Sequence, residues 1–385
     1  PVPFSVSVTY TMQSAIEELS RYTTDQYNRL ASGLPLYPLN LTILPENQCV
    51  TDCVYCYAER KPLKKEELLS FDRWKELIFE AHALGISLAV LSGGDPLTYS
   101  QIIPLLKCLL EHDFYFVLPS KLFISKSLAK TMADIGMSRA WNQVSIDAYT
   151  DATAFKMVGV HNYATRTFSS IVNMVEVGLQ VRANCVLTPV NFREVVGLVK
   201  KLDSLGVKKI SIAAYGRSHY RHNDNFFLSE EQMEWVNRNV GALKSTLRCA
   251  DISCNLAQRD YSKNRDTAIP TKWDGRAKCS GGRSSIVITP TGKVTLCEQM
   301  PVEDEYIAGD LKQQSLLELW NSDRLNRMIY PDKAKFLGTV CEACQDFEVC
   351  VYEYGYCFRD ALFSFGTIYA PPPNCPKAPQ GIRMQ

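Results

Sequence analysis

The feature that most constrains this chain is an alternation of short apolar runs with amphipathic stretches through its first two thirds. The runs lie at 41–44, 87–91, 114–118, 143–146, 181–187 and 209–213, and at four to seven residues each they read as six strands. Between them, Phe71, Trp74, Leu77, Ile78, Ala81 and Leu84 recur at helical spacing and form one apolar stripe, and similar stretches fall at 100–112, 125–135, 163–177 and 191–205. Strands alternating with helix-length connections imply parallel pairing through crossover helices. Residues 40–248 are therefore expected to form a partial (β/α)6 TIM-like barrel within an α/β fold, six units leaving it open. The last helix of this region is expected to start at Ser229, where Ser229-Glu230-Glu231-Gln232 has capping-box spacing before Trp235, Val236 and Val240.

Around this barrel the sequence divides into an N-terminal extension (1–39, with one helix expected over 12–30), a polar linker (249–278) and a second domain (279–385) rich in Cys, Gly, Pro and aromatics. A second capping box, Ser315-Leu316-Leu317-Glu318, marks a helix in the last domain, and Pro371, Pro372, Pro373, Pro376 and Pro379 mark an extended tail. No stretch approaches the roughly 20 apolar residues of a membrane-spanning helix. With 42 Lys plus Arg against 41 Asp plus Glu, a net charge of +1 gives no electrostatic reason to expect nucleic acid or an anionic membrane as partner. The N-terminus lacks a basic segment followed by an apolar one, so the expected compartment is the cytoplasm. Thiols stay reduced there, and the 14 cysteines read as metal ligands or catalytic groups rather than disulfides. Pro1 is not an initiator residue, and the chain is read as processed or trimmed.

Directly after the first expected strand stand Cys49, Cys53 and Cys56, three thiols in a C-x3-C-x2-C loop. A closed zinc or iron–sulfur site takes four protein ligands, so a triple either borrows a distant fourth, as a zinc knuckle would, or leaves one iron open to an exogenous ligand. The spacing resembles that of radical S-adenosylmethionine (radical SAM) enzymes. That resemblance implies a [4Fe–4S] cluster whose open iron chelates the amino and carboxylate groups of SAM, with Tyr55 beside the adenine. It also implies that the loop Ser92-Gly93-Gly94-Asp95 holds the methionine amino group, Asp95 standing where the family usually has Glu. Glycines admit close backbone approach, and a carboxylate pairs with an ammonium. By the same resemblance, Ser145 in Val144-Ser145-Ile146-Asp147 contacts ribose and carboxylate, and Lys156 takes the place of a more usual Arg. The cysteine loop, the Gly-Gly loop and the Ser145 segment all fall at carboxyl ends of expected strands, the face on which barrels build active sites.

The last hundred or so residues add Cys279, Cys297, Cys341, Cys344, Cys350, Cys357 and Cys375. Two β-like runs around Pro290-Thr291-Gly292 are expected to form a hairpin that brings Cys279 and Cys297 together. Zinc competes for such C-x2-C pairs. The pattern, with Gly309-Asp310-Leu311 and the segment 316–322, resembles the SPASM domain of radical SAM enzymes, although Tyr354 stands where a cysteine is common and the thiol comes at Cys357. The resemblance implies auxiliary cluster II on Cys341, Cys344, Cys350 and Cys375, and auxiliary cluster I on Cys279, Cys297 and Cys357. The fourth position of the latter is open, or filled by Cys249 or Cys254. Three [4Fe–4S] clusters are thus expected, while Cys108 and Cys185 read as core residues.

What the family resemblance implies chemically is reductive cleavage of SAM to methionine and a 5′-deoxyadenosyl radical, hydrogen abstraction from a substrate, and net oxidation. The expected activity is an oxidative carbon–carbon or thioether crosslink in a ribosomally synthesised peptide. Formylglycine formation in a sulfatase and radical dehydrogenation of a small molecule are the alternatives, and a non-enzymatic iron–sulfur or zinc protein is the contrasting class. The partners implied are a peptide or protein substrate and a reductant such as flavodoxin or ferredoxin. Only 48 residues precede Cys49, so a leader-binding domain is expected to be absent and a separate leader-binding protein is one substitute. The loop 215–227 after the sixth strand reads either as a substrate contact or as a solvated loop, and no residue stands out as general base.

Overall fold

The structure, a computed structural model, describes residues 37–58, 60, 62–254, 256, 279–373 and 375–379. The helix expected over 12–30 and residues 257–278 of the expected linker lie outside these. Six parallel strands follow one another across a sheet: β1 (Asn40–Ile43), β2 (Leu88–Leu91), β3 (Tyr115–Ser120), β4 (Trp141–Ser145), β5 (Val181–Leu187) and β6 (Lys209–Ala214). Each pairs in parallel with the next. The crossovers carry α1 (Phe71–Ala83), α2 (Ile102–Glu111), α3 (Lys126–Asp134), α4 (Asp151–Val158), α5 (Tyr163–Glu176) and α6 (Val195–Ser204), and α7 (Glu230–Gly241) follows β6. The open six-unit barrel is the expected one.

Local sequence explains the elements. In α1 the Ser70 hydroxyl caps the helix by accepting from the Arg73 N–H at 3.1 Å, and Trp74, Leu77, Ile78 and Ala81 are buried along one stripe. The Ser229 capping box of α7 forms in both directions. In β5 the alternate residues Val181, Ala183, Cys185 and Leu187 are fully buried toward the core. The other face turns Asn184 and Val186 into a cavity.

Two features depart from the sequence reading. A seventh strand, β7 (Asp251–Cys254), pairs in parallel with β6 inside the segment taken as linker. Only Ile252 of its four residues is buried, which leaves no periodicity to detect. The strand is placed from outside, by the Asp203 carboxylate accepting from the backbone N–H groups of Arg248, Cys249 and Ala250 at 3.1, 2.8 and 2.9 Å. Second, the C-terminal domain shares the barrel's sheet: β8 (Ser285–Ile288) pairs in parallel with β1. The expected hairpin is present as β8 and β9 (Lys293–Thr295), and β10 (Gly309–Asp310) completes a ten-stranded order β10-β9-β8-β1-β2-β3-β4-β5-β6-β7. Arg73 of α1 adds to the junction by donating to the carbonyls of Leu311 and Gln314 at 2.8 and 3.0 Å. Beyond the hairpin come α8 (Leu316–Trp320, capped by Ser315 as expected), α9 (Asp323–Ile329), a π-helix (Val349–Tyr354) and α10 (Phe358–Phe365). No described helix is long and apolar enough to cross a membrane.

Candidate active site at the carboxyl ends of the strands

A cavity of about 540 Å³ opens at the carboxyl ends of β1 to β6. Cys49, Cys53 and Cys56 line it together with Tyr55, Ser92, Gly93, Gly94, Asp95 and Ser145, so the structure brings three separate sequence motifs to one place. The cysteine loop is held from below by α4, the N–H groups of Asp52 and Val54 donating to the carbonyls of Val158 and Met157 at 2.9 and 3.0 Å. The Thr51 hydroxyl lies 3.4 Å from the Cys49 sulfur and 3.3 Å from that of Cys53. Arg60, which the sequence reading missed, donates to the Thr51 carbonyl; burial works against its charge, and the three thiols favour it. The loop 215–227 clasps this segment: Arg221 donates to the Cys53 carbonyl at 3.0 Å and pairs with Asp52 at 2.6 Å. Its Tyr215 and Gly216 reach the cavity.

The two glycines answer first to their neighbours. Gly93 has φ +112°, and a Cβ there would sit 2.2 Å from the Glu46 carbonyl oxygen; one on Gly94 would sit 1.9 Å from that of Gln48. The Gly-Gly loop thus packs backbone to backbone on the segment that leads into Cys49, with the Gly94 and Asp95 N–H groups donating to Glu46 and Gln48 at 3.0 and 2.6 Å. Gly94→Ala is expected to destabilise the fold by more than about 2 kcal/mol, as overpacking against immovable backbone does. Anaerobic urea denaturation checks this, and an unchanged midpoint would contradict the packing.

Asp95 lines the cavity, but its carboxylate turns inward. It accepts from Ser120 Oγ at 2.9 Å and from the backbone N–H groups of Lys121, Leu122 and Leu97 at 2.7, 3.1 and 3.1 Å. Burial pushes its carboxyl up, and these donors hold it down in part. Ser145 lines the cavity, its carbonyl accepting from Tyr163 Oη at 2.6 Å. Lys156 is exposed on α4, which buries Ala154, Met157 and Val158 instead, and it does not join the lining. The cations that do are Arg60, Arg359 and Lys121, the last just past β3, its ammonium donating to Asp147 Oδ2 at 2.9 Å, Tyr55 Oη at 3.0 Å and the Ser145 carbonyl at 3.3 Å.

From the other side the C-terminal domain contributes Glu298, Gln299 and Arg359 to the wall. Glu298, next to Cys297, accepts from Ser92 Oγ at 2.5 Å, and its carboxylate with burial keeps the Tyr57 phenol protonated. A second cavity of about 810 Å³ shares Tyr57, Ala58, Ser92, Gly93 and Glu298 with the first, and is also lined by His219, Tyr220 and Met300.

Seven of the eleven remaining cysteines fall into two groups. Burial pushes the Cys341 thiol up to about 12, and the neighbouring thiols of Cys375, Cys350 and Cys344 push the same way. As thiolates these four would repel one another, and a positively charged iron centre would stabilise that form. Cys279 is close enough to Cys297 to add to the upward push of burial on its thiol, and Arg359 is close enough to both Cys357 and Cys297 to be favoured by them. Arg283, also missed in the sequence, is buried between the groups and donates to the carbonyls of Tyr352, Val351 and Ile329 at 2.7, 2.8 and 3.0 Å. Cys254 sits against Asn237 at 3.8 Å, and Cys249 is exposed on the approach to β7, the strand at the opposite edge of the sheet from β8 to β10. Cys108 and Cys185 are buried, as expected. Among the described residues no three His, Cys, Asp or Glu side chains converge as one ion requires.

Residues 43–212 match the Radical SAM superfamily, and residues 279–345 match SPASM, an iron–sulfur cluster-binding domain. The chain is 24% identical over 365 residues to the PqqA peptide cyclase of Methylobacterium sp. (strain 4-46), covering 91% of this chain and 90% of that one. To the same-named protein of Methylorubrum extorquens (strain PA1) it is 25% identical, covering 92% and 89%. In fold it is similar to Streptococcus suis SuiB bound to the precursor peptide SuiA, with a TM-score of 0.71 at 16% identity over 97% of this chain and 80% of that one. The open barrel with its three-cysteine loop defines an enzyme of the radical SAM class. More particularly, the chain belongs to the radical SAM enzymes that carry a C-terminal SPASM domain.

Proposed function

We propose that this enzyme oxidatively crosslinks a ribosomally made peptide, forming a carbon–carbon or thioether bond within it. The observation that carries the reading is the junction of two cavities at Glu298: one lined by the three-cysteine loop and the Gly-Gly loop, the other large enough for a peptide segment. The curated activity of the relatives, cyclisation of a peptide, and SuiB's precursor-peptide complex support it.

Cys49, Cys53 and Cys56 would hold the first cluster. Cys341, Cys344, Cys350 and Cys375 would hold auxiliary cluster II, and Cys279, Cys297 and Cys357 auxiliary cluster I, with its fourth position open. When bound, these groups supply the electron that cleaves SAM to methionine and the 5′-deoxyadenosyl radical, and a sink for the electron the substrate releases. The chain's own part is orientation, water exclusion and proton removal. Gly93, Gly94 and Ser145 frame the SAM cavity, and His219 and Tyr220 line the substrate side. Crosslinking removes one hydrogen atom, one proton and one electron from the peptide, and the proton needs a base. Asp95 and Asp147 are committed to buried donors, whereas Glu298 faces both cavities. We assign Glu298 as that base. A flavodoxin or ferredoxin is the proposed reductant, and a separate leader-binding protein a further proposed partner.

The test is anaerobic incubation of the reconstituted enzyme with SAM, dithionite and the short peptides encoded beside its gene, read by mass spectrometry. Loss of two hydrogens with a new crosslinked fragment is expected. Conversion of a sulfatase Cys to formylglycine, with the short peptides unchanged, would replace this reading.

A further inference from the structure

Lys121 is a charged side chain outside the cysteine loop, the Gly-Gly loop and the Ser145 segment, placed where the three meet. Its backbone N–H is fixed by Asp95 at 2.7 Å, and its ammonium is surrounded by Asp147, Tyr55 and the Ser145 carbonyl at 2.9, 3.0 and 3.3 Å. The Lys121 side chain is 13% exposed and that of Asp147 1%. The ammonium also lies over the rings of Tyr55 and Tyr163, 5.7 and 5.6 Å from their centroids. Tyr55 stands between Cys53 and Cys56, so one ammonium holds the cysteine loop to the ends of β3 and β4.

Its charge shares the cavity with the loop, since Lys121 lines the same space as Cys49, Cys53 and Cys56. Burial opposes the ammonium, and the Asp147 carboxylate at 2.9 Å keeps it protonated. A charge on a side chain only 13% exposed is screened less by solvent than one at the surface, and so acts more strongly on the cavity it lines. A cluster gains negative charge on reduction, and the charges around it are among the levers that set its potential.

We propose that Lys121 sets the reduction potential of the cluster held by Cys49, Cys53 and Cys56, its buried ammonium stabilising the reduced form while Asp147 tempers that effect. Lys121 is thus a positioning and electrostatic residue, not a catalytic one. The proposal rests on the assignment of those three cysteines as ligands, which iron loss in Cys53→Ala tests separately.

The decisive experiment is a potentiometric titration of the reconstituted full-length enzyme without SAM, following the reduced first cluster by electron paramagnetic resonance. At the wild-type midpoint, Lys121→Met is expected to lower the ratio of reduced to oxidised cluster about tenfold, a 59 mV fall for one electron. Lys121→Arg should stay within about threefold. Asp147→Asn, which still accepts the Val186 N–H but leaves the ammonium unbalanced, should move the midpoint up. Opposite shifts in the two variants support the proposal, because loosening of the loop would move both in the same direction. Unmoved midpoints, or shifts of one sign, overturn it. Should Lys121→Met bind no iron, Asp147→Asn decides: a raised midpoint supports the proposal, and an unmoved or lowered one overturns it.

Discussion

Replacing Cys49, Cys53 and Cys56 together by alanine is expected to reduce 5′-deoxyadenosine formation to the level of a protein-free control, while iron remains in the C-terminal domain. Both halves of that result follow from the layout. The three thiols line the SAM cavity on one loop after β1, and the seven C-terminal thiols form their own groups around Cys341 and Arg359. Of the three, only Cys53 is buried, in a small cluster with Ala154, Met157, Val158 and Tyr163 that stands apart from the main core. Trimming it to alanine costs little packing, so the variant should fold. Iron and sulfide analysis beside chromatography of the SAM products checks both. Residual 5′-deoxyadenosine above the control would show that another site cleaves SAM.

The second large effect concerns Glu298. Glu298→Gln keeps the shape and can still accept from Ser92 Oγ, but it has no basicity. Peptide crosslinking is expected to fall by about 10²- to 10⁴-fold, the usual worth of a positioned general base. SAM cleavage in the absence of peptide should remain within a few-fold of wild type. Product mass spectrometry and 5′-deoxyadenosine yield, measured on the same samples, separate the two steps. Crosslinking that survives unchanged would remove Glu298 from the role, and parallel loss of both activities would place it in SAM binding instead.

The barrel was readable because its signals are local. Each apolar run fell on a strand to within two residues, and even Pro119, late in β3, is accommodated: β3 pairs with β2 only as far as Val117, so no β2 partner is missing at the proline. The cysteine spacings and both capping boxes are likewise local. What stayed hidden depends on where separate elements meet. β7 has one buried apolar residue and is positioned by Asp203, some fifty residues earlier in the chain. Asp95 was legible as the acidic member of its loop, but its inward turn depends on the N–H groups beyond β3. Lys156 rests on counting along the chain, whereas the cations that line the cavity, Lys121 among them, arrive from other elements. Glu298 follows a cysteine that was assigned to another cluster, and only the pairing of β8 with β1 carries it to Ser92.

The central claim is that the loop of Cys49, Cys53 and Cys56 cleaves SAM reductively. It is tested most directly by incubating anaerobically reconstituted protein with SAM and dithionite and measuring 5′-deoxyadenosine. Formation of 5′-deoxyadenosine and methionine in equal amounts, dependent on dithionite, is the predicted result. A colourless protein that binds only zinc and yields no 5′-deoxyadenosine would contradict it.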